Sequence, residues 1–316
     1  MGSSFRFIVV CCALTGGVLF LALPIKPSRT NLNEATSYAT LLNATDTSTR
    51  DASKTGSSSP PHITAKAAVI YDPLQNEFLF QKNADDPSGI ASITKIMTAI
   101  VALERVGEND IIEVHTSAIE TEGDEGALLD GEHFTLHNLI ILMLTASSND
   151  AAVAIAEHVG FLQGASSFEE SQRIFVRLMN ETAKNRNLKD TQFQNPTGLD
   201  IDETAGIVSN VSTARETAQL IGYALRYPLL YTMSPTLSTL LSEEGNVHIL
   251  SPTHVLLMNE SGVISGKTGF TDIAGGTLAT VAEIPVGKLS IVVILGSTRN
   301  DRFQDTLHLL DWLRTQ

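Results

Sequence analysis

Strand-like segments stand at both ends of the globular part of this chain, and most of what lies between them reads as helix. Residues 65–71 and 77–81 have the β-rich pattern of paired strands joined by the turn-prone Asp72-Pro73-Leu74-Gln75-Asn76. Residues 263–267, 277–284 and 289–295 share that character, with Pro285-Val286-Gly287-Lys288 as a hairpin turn. Apolar periodicity predicts helices over 92–106, 135–145, 150–159, 168–187 and 213–225, and a last one over 302–313. Such strands bury their apolar faces by meeting in one sheet. The expectation is an α+β fold: an antiparallel sheet flanked by helices, built from sequence-distant strands, with an inserted helical lobe. No internal repeat is visible.

The N-terminal part bears on where such a domain works. Residues 7–23 form an uncharged, mostly apolar run between a basic start and Pro24. That run of 17 is long for a secretory h-region of roughly 7 to 15 residues and short for a spanning helix of roughly 20. Residues 1–25 are therefore expected to be a signal peptide or signal anchor, and the lack of a small-x-small cleavage site favours the anchor. Arg6 before the run and Lys26 and Arg29 after it leave its orientation open. Lipid anchoring is not expected: Cys11 and Cys12 follow no small residue, and Arg6 stands where a myristoylation signal wants Ser or Thr. Residues 26–62, rich in Ser, Thr, Asn and Pro, read as a disordered tether. The remaining 254 residues, 63–316, are enough for a full core and are expected to be the catalytic domain.

Charge and cysteine usage exclude several function classes. The chain carries a formal −14, and residues 1–62 hold five basic and three acidic side chains. The domain is left with 16 basic and 32 acidic ones, a net −16. Nucleic acid and anionic lipid are thus not its partners. Both cysteines lie in the apolar run, so the domain has no disulfide and no thiolate chemistry.

Three short motifs follow in order: Ser92-Ile93-Thr94-Lys95, Ser147-Ser148-Asn149 and Lys267-Thr268-Gly269. Each alone has an ordinary explanation: a helix N-cap with a solvated lysine, an inter-helix turn, a strand end. As a set they match the signature of class A β-lactamases and penicillin-binding proteins. The residue types suit acyl transfer. A serine hydroxyl needs an adjacent base, and a lysine three residues on shares its helix face. That lysine must be neutral part of the time, and both desolvation and a second cation, for which Lys267 is placed, push it that way. At a helix start, Ser92 would also sit where backbone N–H groups favour developing negative charge.

The surroundings extend the match. Pro87-Ser88-Gly89-Ile90-Ala91-Ser92-Ile93-Thr94-Lys95-Ile96-Met97-Thr98-Ala99 closely resembles the nucleophile segment of the bacterial D-alanyl-D-alanine carboxypeptidases, the low-molecular-mass penicillin-binding proteins of peptidase family S11. So do Asn195-Pro196-Thr197-Gly198-Leu199-Asp200, Ser212-Thr213-Ala214-Arg215 and Gly266-Lys267-Thr268-Gly269-Phe270-Thr271, and the likeness runs from about Ala65 onward. Ser148 stands where many relatives have Gly, and Ala274-Gly275-Gly276-Thr277 lacks a cysteine that many carry nearby. Larger relatives continue into a β-rich stalk and an amphipathic membrane anchor, neither of which is expected after the helix ending Leu309-Leu310-Asp311-Trp312-Leu313.

The resemblance implies a β-lactamase/DD-peptidase-like fold and a set of roles. Ser92 is the nucleophile and Lys95 its base. Ser147 relays a proton toward the leaving amine, and Asn149 holds the substrate amide and Lys95. Lys267 and Thr268 take the substrate's terminal carboxylate, Gly269 allows the substrate backbone close approach, and the backbone N–H groups of Ser92 and Phe270 form the oxyanion hole. Arg302 occupies a place resembling a family arginine, but at a helix start it reads as a surface residue. No metal or cofactor is expected: the eight histidines show no ligand spacing, and the His133–His137 pair lacks the Glu of a zinc helix. The acidic run at 120–130 reads as a solvated loop.

The expected activity is a serine-type D-Ala-D-Ala carboxypeptidase acting on peptidoglycan pentapeptides at the outer face of the cytoplasmic membrane, in the periplasm or in the cell wall. β-Lactams would be covalent inhibitors, and the N-terminal segment the contact with the membrane. The alternatives are a D,D-endopeptidase on cross-links, a β-lactamase on the same fold, and an inactive muropeptide-binding envelope protein. Against the β-lactamase, Glu169, Glu170 and Glu181 lack the Glu-x-x-Leu-Asn setting of a deacylating glutamate. Against the inactive binder stand intact Ser92, Lys95, Ser147 and Lys267.

Overall fold

Strands from the beginning and end of the described residues meet in one sheet, whose central strand is the last in sequence. The computed structural model describes residues 59–121, 127–200, 206, 208–231 and 236–316. The expected segment 1–25 and the tether up to residue 58 lie outside them. In order come β1 (Ala67–Asp72) and β2 (Glu77–Lys82), then helices α1 (Thr94–Leu103), α2 (Leu136–Thr145), α3 (Asn149–Leu162), α4 (Phe168–Asn185) and α5 (Ala214–Ala224). A hairpin of β3 (Ser238–Leu241) and β4 (Val247–Leu250) follows, then β5 (Val263–Thr271), β6 (Gly275–Glu283), β7 (Leu289–Ser297) and α6 (Asp301–Leu313). The five longest strands pair antiparallel in the order β2-β1-β7-β6-β5, with Val69 opposite Val293. The expected α+β architecture is present.

Both faces of this sheet are covered, which explains the continuous apolar run Ile291-Val292-Val293-Ile294-Leu295. Val69, Tyr71, Ile291, Val293 and Leu295 join the main core with the helical lobe. Ile70, Val292 and Ile294 are buried on the opposite face, where α6 packs. Helix α1 runs through the middle of the molecule with nine of its ten residues buried, packed by α2, α3, α4 and α5. A helix apolar on nearly every side has no solvent face to offer. Its lysine is therefore buried as well.

The expected helices differ from the observed ones by a few residues at their ends. Thr135, Ser148, Ser167 and Thr213 cap α2, α3, α4 and α5, each side-chain oxygen accepting a backbone N–H of the first turn. The hairpin β3–β4 and the short pair Ile111–Glu113 with His133–Thr135 are additions that the apolar pattern did not reveal. His133 and His137 face Glu244 (2.8 Å) and Glu108 (3.4 Å). The acidic run lies partly outside the described residues; of the rest, Leu128 is buried and Asp130 exposed. Among the described residues no helix is long and apolar enough to cross a membrane.

Candidate active site

Ser92 lies in a 3-10 turn, Ala91–Ile93, that runs directly into α1. The turn is entered through Ala91 at φ +46°, a left-handed conformation unusual for a residue with a Cβ and of the kind found at functional sites. Lys95 follows on the same face, and its Nζ donates to Ser92 Oγ at 2.9 Å. The same Nζ donates to Asn149 Oδ1 (2.7 Å) and to the Thr197 carbonyl (2.7 Å). One lysine thereby joins α1, the start of α3 and the 195–200 loop.

The loop is held in place by its own motif. Asn195 Oδ1 accepts from the Thr197 N–H (3.2 Å), the Thr197 hydroxyl (3.1 Å) and the Gly198 N–H (2.7 Å), an Asx-type turn. Thr98 of α1 donates to the Pro196 carbonyl at 2.6 Å. Gly198 has φ +89°, and a Cβ there would come within 2.1 Å of the Ala91 carbonyl oxygen. Glycine is required on both counts. The Asn195–Asp200 segment, which entered as a likeness, is a wall of the site.

Ser147 is the second non-glycine residue here with positive φ, +64°, at the hinge between α2 and α3. Ser148 behind it is fully buried and caps α3, so the middle residue of this motif fixes the start of the helix that carries Asn149. Across the cleft, β5 is the edge strand of the sheet. Its Lys267 is buried and donates to Ser147 Oγ (2.7 Å) and to the Thr268 carbonyl (2.8 Å). Thr268 Oγ1 lies 2.6 Å from Thr253 Oγ1.

Gly269 is where β5 touches the nucleophile turn. A Cβ there would fall 2.8 Å from the Ser92 nitrogen and 2.4 Å from Thr277 Oγ1. Atoms of Thr277, Ser92 and Ala91 occupy this space, so the strand lies directly against the nucleophile turn only because residue 269 is glycine. Arg299 stacks on the Phe270 ring, its guanidinium carbon 4.0 Å from the centroid.

Two residues stand differently from the sequence reading. Arg302 is not on the surface: it is 4 % exposed and its Nη1 donates to the Gly269 carbonyl at 2.5 Å. The Thr298 hydroxyl, accepting from the Asp301 N–H (2.9 Å), tightens the start of α6 beside it. Its family-like place was the correct signal, and its position at a helix start the misleading one. His254 gave no signal. It is buried beside β5, and burial, then the charges of Arg302 and Lys267, push its imidazole down to about 3. It is neutral at any physiological pH.

The arrangement supports proton transfer. A neutral amine has two N–H groups and one lone pair. Asn149 Oδ1 and the Thr197 carbonyl are acceptors and take N–H groups, so the lone pair of a neutral Lys95 can face the Ser92 hydroxyl 2.9 Å away. Among the described residues no group of three or more His, Cys, Asp or Glu is placed to hold a metal.

The family described as D-alanyl-D-alanine carboxypeptidase, peptidase family S11, matches residues 54–298. The chain belongs to this family. A D-alanyl-D-alanine endopeptidase of Escherichia coli is 28% identical over 262 residues, covering 81% of this chain and 79% of that protein. The D-alanyl-D-alanine carboxypeptidase DacF of Bacillus subtilis is 30% identical over 258 residues, 80% of this chain and 62% of that protein. The crystal structure of the Streptomyces K15 DD-transpeptidase superposes with a TM-score of 0.73 at 24% identity, over 82% of this chain and 100% of that one. The DD-peptidase fold expected of the family S11 hydrolases is thus present.

Proposed function

We propose that this family S11 enzyme is a D-Ala-D-Ala carboxypeptidase that trims peptidoglycan pentapeptides through an acyl-enzyme on Ser92. The observation that carries this reading is the pair of buried lysines, each hydrogen-bonded to a different serine in one cleft. Neutral Lys95 takes the Ser92 proton as Oγ attacks the carbonyl of the penultimate D-alanine. The oxyanion is held by the backbone N–H groups of Ser92 and Phe270, donors of a kind that contribute about 3 kcal/mol each. The proton held by Lys95 is relayed through Ser147, bonded to Lys267, to the leaving nitrogen as the C–N bond breaks, which leaves Lys95 neutral and the Ser147 hydroxyl restored. D-Alanine departs, and water then hydrolyses the ester and restores Ser92. Lys267 and the Thr268 hydroxyl bind the terminal carboxylate, and Asn149 the substrate amide.

A second reading is favoured by the endopeptidase names of relatives covered over most of their length, 79% and 88%. A D,D-cross-link also has a free carboxylate next to the scissile amide, so the same lysine and threonine serve both substrates. Only the side chain beyond the bond differs. On either reading the domain works outside the cytoplasm, tethered through residues 26–62, and β-lactams acylate Ser92. Mass spectrometry of purified muropeptides incubated with residues 62–316 separates the two. Release of D-alanine from monomeric pentapeptides with dimers untouched supports the carboxypeptidase; conversion of dimers to monomers with pentapeptides intact supports the endopeptidase. No change in either, with Ser92 reactive to penicillin, sinks both.

A further inference from the structure

A threonine hydroxyl has one proton. If Thr268 gives its proton to the substrate carboxylate, its oxygen can be steadied from behind only by another donor. Thr253 Oγ1, at 2.6 Å, is in place to be that donor. We propose that Thr253 is a positioning residue for carboxylate recognition: it donates to Thr268 Oγ1, and so commits the Thr268 proton to the substrate. The inference rests on the carboxylate-binding reading of Thr268 given above.

Thr253 is well fixed for such a role. Its backbone N–H donates to the carbonyl of Thr145, the last residue of α2 and two before Ser147. The following residue, His254, is wedged against β5 where Gly266 has no side chain; a Cβ on Gly266 would lie 2.5 Å from His254 Nε2. That Nε2 meets Thr280 Oγ1 of β6 at 3.0 Å. Thr253 is therefore held on one side to the helix leading into the Ser147 hinge and on the other to the strands carrying Lys267 and Thr268. A neutral donor suits the location. Lys267 already supplies positive charge, and what a rotatable hydroxyl lacks is a defined direction.

The test compares two substrates: a stem-peptide mimic ending in D-Ala-D-Ala with a free carboxylate, and the methyl ester of the same peptide. Thr253→Val keeps the shape and removes the donor. It is expected to lower kcat/KM for the acid by about three- to tenfold, the scale of one hydrogen bond, while changing the ester less than about twofold, since a neutral acceptor gains less from an ordered donor. Thr253→Ser is expected to restore the acid, and Thr253→Ala repeats the comparison should the valine variant fail to fold. Thr268→Val is run alongside. If Thr268→Val discriminates acid from ester and Thr253→Val does not, the positioning role falls and the carboxylate site stands. If Thr268→Val itself fails to discriminate, the carboxylate reading falls and takes this inference with it.

Discussion

Lys95 and Lys267 are both buried, and each grips a serine hydroxyl from its own side of the cleft. Ser92→Ala is expected to abolish covalent labelling by a fluorescent penicillin and leave thermal unfolding nearly unchanged, because a single hydroxyl at a turn contributes little stability. Labelling that survives would move the nucleophile elsewhere. Lys267→Ala is expected to reduce turnover of free-carboxylate peptides more than of their esters, the lost contact being charge-assisted; equal losses would leave Lys267 a different role. His254 offers a test by pH. Its folded value of about 3 lies below the ordinary 6.5. Below pH 6.5 the unfolded chain therefore binds a proton that the folded chain refuses. The stabilisation is complete above 6.5 and drains away as pH falls from there toward 3. At pH 5 the loss from this group is about 2 kcal/mol, at roughly 1.4 kcal/mol per pH unit below 6.5. Denaturant unfolding at pH 7 and pH 5 is expected to show wild type losing about that much more than His254→Asn.

The helices were readable because their apolar periods are long and their caps conventional: Thr135, Ser148, Ser167 and Thr213 each precede a helix they cap. The β3–β4 hairpin was not. Each of its strands is four residues long, and its inner face carries His248, whose partner Glu132 (2.9 Å) is 116 positions away in sequence. A local pattern cannot reveal a polar residue buried by a distant partner. The site shows the same division. Serine, lysine and glycine motifs were legible as motifs, but the atoms that demand Gly198 and Gly269 belong to Ala91, Ser92 and Thr277, distant in sequence from one or both glycines. Arg302 looked exposed because its helix start was visible and the packing of that start against β5 was not. Caps also separate stability from function. Ser148→Ala and Ser167→Ala each remove one cap and are each expected to cost about 1 kcal/mol. Only Ser148→Ala should also lower acylation by penicillin, since α3 begins with Asn149; comparable acylation in both variants would uncouple the cap from the site.

At the scale of the molecule, the cleft between α1, the Ser147 hinge and β5 should trap penicillin rather than destroy it. Glu169 and Glu170 are bonded to Ser167 and Ser166 at the exposed start of α4, and Glu181 faces Arg177 along the same helix. The loop beside Lys95 presents the Thr197 carbonyl. Deacylation is therefore expected to be slow, with intact-mass spectrometry showing the Ser92 adduct persisting for minutes or longer. Rapid drug loss without an adduct would point to a β-lactamase. The order of the sheet adds a constraint in time. Its middle strand, β7, begins at Leu289 and pairs with β1, which left the ribosome more than 200 residues earlier. Such long-range closure is slow, because the intervening loop must be ordered first. A chain halted before Leu289 has its nucleophile already synthesised but β1 still waiting for its inner neighbour, an apolar edge open to aggregation and proteolysis. The active site thus comes into being only late, once strands separated by more than 200 residues have met in one sheet.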